Sequence, residues 1–365
     1  MKETILQFGG GKFLRSFADF FVHEANKAGQ EVGQVVVVQS TDSPRAQWLN
    51  VQQGKYQVLV RGLVEGGQVD EAREIASISR ALVASQQWPE VLQVARSADL
   101  RWIVSNVTEA GYGLDAGDVI EAPRSFPAKL AAVLKARFDA GLPGLPILPC
   151  ELIAENGERL LELVLQQAAH WKLEDKFVDW LGGQCIWPNT LVDRIVSSPP
   201  DDHPLLAADP LLAVAEPFAL WAIEEFEGVD LFEHSAIKLV DDVEPYALRK
   251  VRILNGAHQA LVCRALNRFA TVREALADAE TEAWLQQLLA AEIVPVVDAR
   301  VEGASAFAQE TMQRFANPFL DHKLSDIAVY HEQKIETRLM PTYREYKQHF
   351  GQEPVLLSEI LKPFL

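Results

Sequence analysis

The sequence predicts an α/β fold, a doubly wound N-terminal domain on a parallel sheet joined to a mainly α-helical C-terminal domain. Three observations carry this. Strand-like apolar runs alternate with helix-period stretches through the first part of the chain. Four consecutive valines at 35–38 read as a strand buried on both faces. Beyond about residue 245 nearly every stretch has helical period, with few β-branched runs.

Taken in order, Ile5-Leu6-Gln7-Phe8 is the first strand, closed by Gly9-Gly10-Gly11. Phe13, Phe17, Phe20, Phe21 and Ala25 recur at spacings of three or four and make one first helix, stopped at Gly29. The valines are the second strand. Residues 56–60 and 102–104 continue the strand signal, with helical stretches such as 88–96 between, and this alternation implies right-handed crossovers. Residues 145–148 form a further strand leading into Cys150-Glu151, and 158–168 read as a helix. The run Ser-Ser-Pro-Pro-Asp-Asp-His-Pro at 197–204 is the strongest punctuation. It sets the expected division: 1–204 for the α/β domain, 205–365 for a helical domain.

Composition narrows the partners. Lys and Arg number 34 against 51 Asp and Glu, a formal net charge of −17 over 365 residues. A surface that acidic repels nucleic-acid phosphates and anionic lipids, which argues against both as partners. A small anionic substrate in a locally basic pocket stays open. No run approaches the roughly 20 apolar residues of a membrane span, and Met1–Ile5 lacks the charged lead and apolar run of a secretory signal. Cys150, Cys185 and Cys263 are too few and too scattered for a disulfide framework or zinc cluster, and no H-E-x-x-H, C-x-x-C or phosphate-loop motif occurs. A cytoplasmic, metal-independent protein is expected.

Gly9-Gly10-Gly11-Lys12-Phe13-Leu14 stands between a strand and a helix, the context in which G-x-G-x-x-(G/A) binds a dinucleotide. Gly9 can make the tight turn, Gly11 removes a side chain that would block a pyrophosphate, and the following helix offers its N–H groups. Leu14 departs from the small residue of the pattern, and a plain βα turn is the other reading. The second strand ends in Gln39-Ser40-Thr41-Asp42. Asp42 is the candidate acid for the adenine-ribose hydroxyls, which favours NAD over NADP, although a solvated turn aspartate fits the same residues.

The sharpest chemical signal is Lys250-Val-Arg-Ile-Leu-Asn255-Gly-Ala-His258. At α-helical pitch Asn255 lies roughly 140° and His258 roughly 80° from Lys250, which puts all three on one side. Hydride transfer at an alcohol needs a base for the hydroxyl proton and donors for the developing alkoxide. A lysine qualifies when apolar walls bring it well below its usual value of about 10.4. Asn255 can then donate to the oxyanion and His258 can orient a substrate hydroxyl. A solvated lysine with a core asparagine and a core histidine on an amphipathic helix is the alternative.

These residues resemble the polyol-specific long-chain dehydrogenases, the mannitol dehydrogenase family, whose catalytic K-x4-N-x2-H pattern stands intact at Lys250, Asn255 and His258. Residues 8–15 resemble its dinucleotide turn, Asn106-Val-Thr-Glu109-Ala-Gly111-Tyr its segment beside the cofactor, and Pro188-Asn189-Thr190-Leu-Val-Asp193-Arg194-Ile195 its P-N-[ST]-M-V-D-R-I segment. Glu216-Pro217-Phe218 and Asn317-Pro318 match as well. The resemblance implies a Rossmann-like domain, NAD as cofactor, and Gly9, Gly10, Gly11, Phe13, Asp42, Asn106 and Glu109 as its contacts. It further implies Lys250 as general acid/base, Asn255 as oxyanion donor, His258 as substrate contact, Asn156 as the second oxyanion donor, and Lys334 as a substrate residue. Cys-Glu-Leu-Ile at 150–153 and Asn317 to His322 resemble most the branch acting on tagaturonate and altronate. There His322, Lys334 and Arg338 are the cations expected to meet a sugar acid. Mannitol branches carry a glutamate where this chain has Ala247. A mannitol or other polyol or polyol-phosphate dehydrogenase is the alternative enzyme, and a dinucleotide sensor without turnover the alternative class. The oligomeric state stays open.

Overall fold

The computed structural model describes residues 1–64, 67–108, 111–227 and 231–365. Two compact units emerge, Met1–Leu59 with Ala72–Val243, and Val60–Glu71 with Glu244–Leu365.

The first unit begins β1 (Glu3–Phe8), α1 (Lys12–Arg15), α2 (Ala18–Lys27), β2 (Gln34–Gln39), α3 (Arg45–Val51), β3 (Tyr56–Val64), β4 (Gly67–Ile75) and β5 (Ile78–Val83), with β3 and β4 running through the division. It continues with α4 (Trp88–Ala95), β6 (Trp102–Ser105), α5 (Phe126–Asp139), β7 (Ile147–Pro149), α6 (Asn156–His170) and α7 (Asp175–Gly183). Short strands follow: β8 (Thr190–Asp193), β9 (Val196–Ser197), β10 (Ala213–Ala215), β11 (Leu220–Glu224) and β12 (Ile237–Val240).

The main sheet has the order β5-β2-β1-β6-β7 and its pairs are parallel. The valines fill β2 and are buried throughout, as two covered faces require. Leu6, Val36, Ile103 and Ile147 turn one way into a core shared with α4, α5, α6 and α7. Strand order reverses between β1 and β6. The carboxyl ends of such a pair are where open α/β sheets bind ligands, and the glycine turn leaves β1 at that point.

The expected single first helix is broken. Arg15 turns inward at 4% exposure, its Nε donating to Gly10 O at 3.3 Å and its Nη1 to Leu211 O. Tyr56 Oη donates to Arg15 O at 2.8 Å. Ser16 N bonds back to Lys12 O and Phe13 O, and Phe17 leaves helical geometry (φ −133°, ψ −97°), so α2 starts afresh. The Pro-rich loop at 197–204 lies inside the first unit, and the break in the chain follows Val243, not residue 204. The reason is pairing across the loop: β11 runs antiparallel to β8 and β10 to β9.

The second unit is helical: α8 (Glu244–Arg249), a π turn (Lys250–Asn255), α9 (Gly256–Ala265), α10 (Val272–Ala277) and α11 (Ala279–Leu288). A second π turn (Leu289–Ile293) leads to α12 (Val294–Asp298), α13 (Ala304–Phe315), α14 (Leu324–Ile327), α15 (His331–Arg338), α16 (Met340–Phe350) and α17 (Val355–Leu361). Ala257, Ala260, Leu261 and Ala265 make α9 its central helix, fully buried on the α-helical repeat. Buried Glu292 accepts from Leu356 N at 2.7 Å and Leu357 N at 2.8 Å, which seats the N-terminus of α17. No helix among the described residues is long and apolar enough to cross a membrane.

Candidate active site

The glycine turn is built by three differently constrained glycines. Gly9 has φ +109°, and a β-carbon there would stand 2.7 Å from Asn106 O, so β1 and β6 exit in direct backbone contact. A β-carbon on Gly10 would meet Val37 Cγ1 at 3.0 Å. Gly11, the N-cap of α1, would meet nothing within 4 Å. A cradle that a β-carbon would narrow lies at Gly11, and no side chain caps the helix there, so the turn fits a dinucleotide phosphate. Phe13 is half-buried and stacks on Phe17, ring centroids 4.9 Å apart. Asp42 is exposed on the loop after β2. Buried Gln39 shapes that loop by donating to Thr41 O and Ser43 O and accepting from Ala46 N.

Asn106 Nδ2 donates to Cys150 O at 2.6 Å, tying the ends of β6 and β7. Beside it Glu151, 3% exposed, accepts from Val107 N, Ser105 Oγ and Tyr112 Oη at 2.8–3.1 Å. Burial pushes this carboxyl up, against those three donors. Glu109 lies outside the described residues. Asn156 is 1% exposed, and its amide is spent on backbone: Nδ2 donates to Glu151 O at 3.0 Å and Thr190 O at 3.1 Å, while Oδ1 accepts from Thr190 N at 2.9 Å. It is a tie between α6 and β8, with no free donor for an oxyanion. Asn189 supports the same junction by accepting from Gly157 N and Glu158 N.

The Lys250 helix departs from α-helical geometry where the chemistry was expected. Lys250–Asn255 is a π turn, and Gly256 N reaches back five residues to Val251 O. Bonding of residue i to i+5 makes Asn255 the next-turn neighbour of Lys250, in place of the 140° separation expected from α pitch. Lys250 is 7% exposed, Asn255 half-buried and His258 6% exposed. Arg252 anchors the turn to α16, donating to Thr342 Oγ1 at 2.9 Å and Glu345 Oε1 at 2.8 Å.

His258 lies 4.2 Å, centroid to centroid, from Phe315 and 4.9 Å edge-on from His322. Its Nε2 is buried without a hydrogen-bond partner among the described residues. Burial first, then the positive charges of His322, Arg314, Arg338 and Lys334, hold the ring well below the usual histidine range. A neutral imidazole keeps one nitrogen as donor and one as acceptor. Lys334 is half-buried and donates to Ile327 O at 2.8 Å. His322 is also half-buried, its backbone oxygen accepting from Val272 N. The structure thus gathers His258, His322, Lys334 and Arg338 into one cationic neighbourhood, with Asn255 about one turn and Lys250 about two turns upstream on the same helical stretch.

Sequence reasoning missed Glu151 as the clamp on the 105–112 segment and Arg314 as a buried charge acting on His258. Their signals were present, a carboxylate directly after an apolar strand and an arginine next to a core phenylalanine, but each is common on surfaces.

Two family models match the chain: the mannitol dehydrogenase Rossmann domain over residues 3–231, and the mannitol dehydrogenase C-terminal domain over 242–361. Among curated relatives, an altronate oxidoreductase of Bacillus subtilis (strain 168) is 39% identical over 370 residues, covering 96% of this chain and 77% of that protein. One from Yersinia pestis is 38% identical over 376 residues, covering 98% and 78%. A solved Pseudomonas fluorescens mannitol 2-dehydrogenase, in ternary complex with NAD and D-mannitol, superposes with TM-score 0.85 at 23% identity, over 99% of this chain and 78% of that one. A substrate-free D-sorbitol dehydrogenase does so with TM-score 0.85 at 22% identity, over 99% and 81%.

Proposed function

The chain belongs to the mannitol dehydrogenase family, and from that premise we propose that it is an NAD(H)-dependent reductase of a keto-hexuronate, converting tagaturonate to altronate. The observation that carries the choice of an acid over a neutral polyol is the positive charge of Arg314, Arg338, Lys334 and His322 around the unpartnered Nε2 of His258. A substrate carboxylate is stabilised by such surroundings more than the hydroxyls of a neutral polyol are. The names of the relatives support the same choice. A phosphate satisfies the same cations, so a polyol phosphate is the competing substrate.

NAD(H), when bound, supplies or accepts the hydride. Gly9, Gly10 and Gly11 would hold its phosphates, with Phe13, Asp42, Asn106 and Glu109 as the further contacts proposed. In the reducing direction Lys250 gives its proton to the carbonyl oxygen as that oxygen gains negative charge, and it takes the proton back in oxidation. An amine does this only when its neutral form is accessible during the cycle. The Asn255 amide donates to the same oxygen. Neutral His258 offers its free nitrogen to a substrate hydroxyl, and His322 and Lys334 serve the carboxylate end. Asn156 is left out of this set because its amide is already committed. The small sugar acid is the only partner required, and a cytoplasmic location accords with a reaction drawing on NAD(H).

The test is NADH oxidation with tagaturonate, fructuronate, fructose and fructose 6-phosphate. Fastest turnover with tagaturonate supports the reading. Preference for fructose overturns the sugar-acid assignment, and preference for fructose 6-phosphate transfers it to the phosphate substrate.

A further inference from the structure

Behind the glycine turn sits an acid that the proposed chemistry does not use. Asp19, on α2, is fully buried, and its Oδ2 accepts from Gln7 Nε2 at 3.2 Å. The same Gln7 nitrogen donates to Gly9 O at 3.0 Å. Asp19 Oδ1 and Gln7 Oε1 have no hydrogen-bond partner among the described residues, and both residues line a small cavity with Val35, Trp102, Val104 and Trp221. Arg15, on α1, holds the next carbonyl of the turn, that of Gly10.

We propose that Asp19 is a positioning residue for the glycine turn, its carboxylate orienting the Gln7 amide so that this amide holds the Gly9 carbonyl, and that dinucleotide affinity therefore follows Asp19 ionisation. The proposal rests on the reading of this turn as the dinucleotide site. With Asp19 ionised, both neighbours of Gln7 Nε2 are acceptors, so the amide has one satisfied orientation. A protonated Asp19 carries an O–H that seeks an acceptor, and the Gln7 amide can offer one by turning Oε1 into the place of Nε2. Turning the amide to meet that proton removes the donor from Gly9 O and releases the turn. The titratable groups facing Asp19 are Arg15 from α1, Tyr56 from β3 and Cys150 after β7. Burial holds Tyr56 and Cys150 in their neutral forms, which leaves Arg15 as the charged counterpart. Burial also lifts the Asp19 carboxyl to about 7, against the Gln7 hydrogen bond and the charge of Arg15, so its ionisation changes in the neutral range.

The experiment is NADH binding to the purified full chain without substrate, by fluorescence titration from acid to alkaline pH. If only the ionised form binds well, the dissociation constant rises about tenfold from one pH unit above the Asp19 midpoint to one below. Asp19→Asn retains an acceptor but no charge, and its affinity is expected to be independent of pH over the same range. Calorimetry in two buffers of different ionisation enthalpy is expected to show proton release on NADH binding to the wild-type protein only. If Asp19→Asn does not fold, Gln7→Met cuts the link while keeping the carboxyl, and the pH dependence is expected to vanish there too. A pH-independent wild-type affinity, or an unchanged pH dependence in either variant, overturns the role of Asp19 and leaves the dinucleotide reading intact. No NADH binding at any pH overturns both.

Discussion

The backbone oxygen of Asn106 lies 2.7 Å from where a β-carbon of Gly9 would sit. The first and fourth strands of the parallel sheet therefore leave it in contact, and the turn between β1 and α1 has no slack on that side. Gly9→Ala meets that contact in a backbone conformation (φ +109°) that alanine rarely adopts. Together these are expected to cost on the order of 3 kcal/mol, measured as a lower urea midpoint with unchanged slope.

Gly11 separates folding from binding. A β-carbon there meets no atom of the described residues within 4 Å, so Gly11→Ala is expected to unfold with wild-type stability. NADH affinity should still drop at least about tenfold, because the methyl group enters the space proposed for the phosphates. Unaltered NADH affinity in a stable Gly11→Ala protein would remove the phosphates from this end of α1.

Lys250 carries the proton in the proposed mechanism. Lys250→Met keeps the apolar stem in a site of 7% exposure and removes the amine. Turnover is expected to fall by about 10²–10⁴-fold, the usual size of general acid–base catalysis. NADH affinity should change little, since the glycine turn is the part proposed to hold the dinucleotide and the amine is proposed to act on the substrate oxygen. Near-normal turnover by this variant would reject Lys250 as the acid.

The parallel sheet was legible because its strands are written in residues that serve no other purpose: four valines cannot be solvated, and three glycines between a strand and a helix mark a turn. The break at Ser16 and Phe17 was not, since it comes from Arg15 reaching backbone oxygens at Gly10 and, far along the chain, Leu211. Edge strand β4 was hidden for the opposite reason: its residues are mostly exposed and charged, so no apolar alternation announces it. The K-x4-N-x2-H spacing of Lys250, Asn255 and His258 is plain in the sequence, yet the π turn over Lys250–Asn255 has no local signature, so α-helical pitch does not describe how Asn255 stands to Lys250. Asn156 shows the limit of reading a role from a motif position, because its amide donates to Glu151 O and Thr190 O and accepts from Thr190 N, and the approach of strand β8 depends on the whole fold.

Lys334 tests the substrate class. Its side chain sits in the cationic neighbourhood of His258 and donates to Ile327 O. Lys334→Met is expected to raise KM for tagaturonate by about tenfold or more, the size of one lost charge-assisted contact, while leaving the slow reaction with fructose nearly unchanged. Equal losses on both substrates would mean that the lysine supports the fold around Ile327 and does not read the carboxylate.

Asp19 also governs how stability depends on pH. Its carboxyl is lifted from an ordinary 3.8 to about 7 in the folded chain, chiefly by burial. Between those values the folded protein holds a proton that the unfolded chain has released, so folding takes up a proton and stability falls as pH rises. Below the lower value both states are protonated and no penalty exists; above the upper value the full penalty applies and no longer changes. Asp19→Asn removes the titration. The variant is expected to match the wild-type protein in acid and to exceed it by up to about 4 kcal/mol above neutrality. Urea unfolding at a series of pH values reads the difference directly. A constant offset between the two proteins across the range would show that Asp19 does not titrate between the folded and unfolded states as its burial requires. A gap that opens toward neutrality would mean that the chain keeps a destabilising charge behind its glycine turn, which is the cost expected of a group retained for what it does to Gly9.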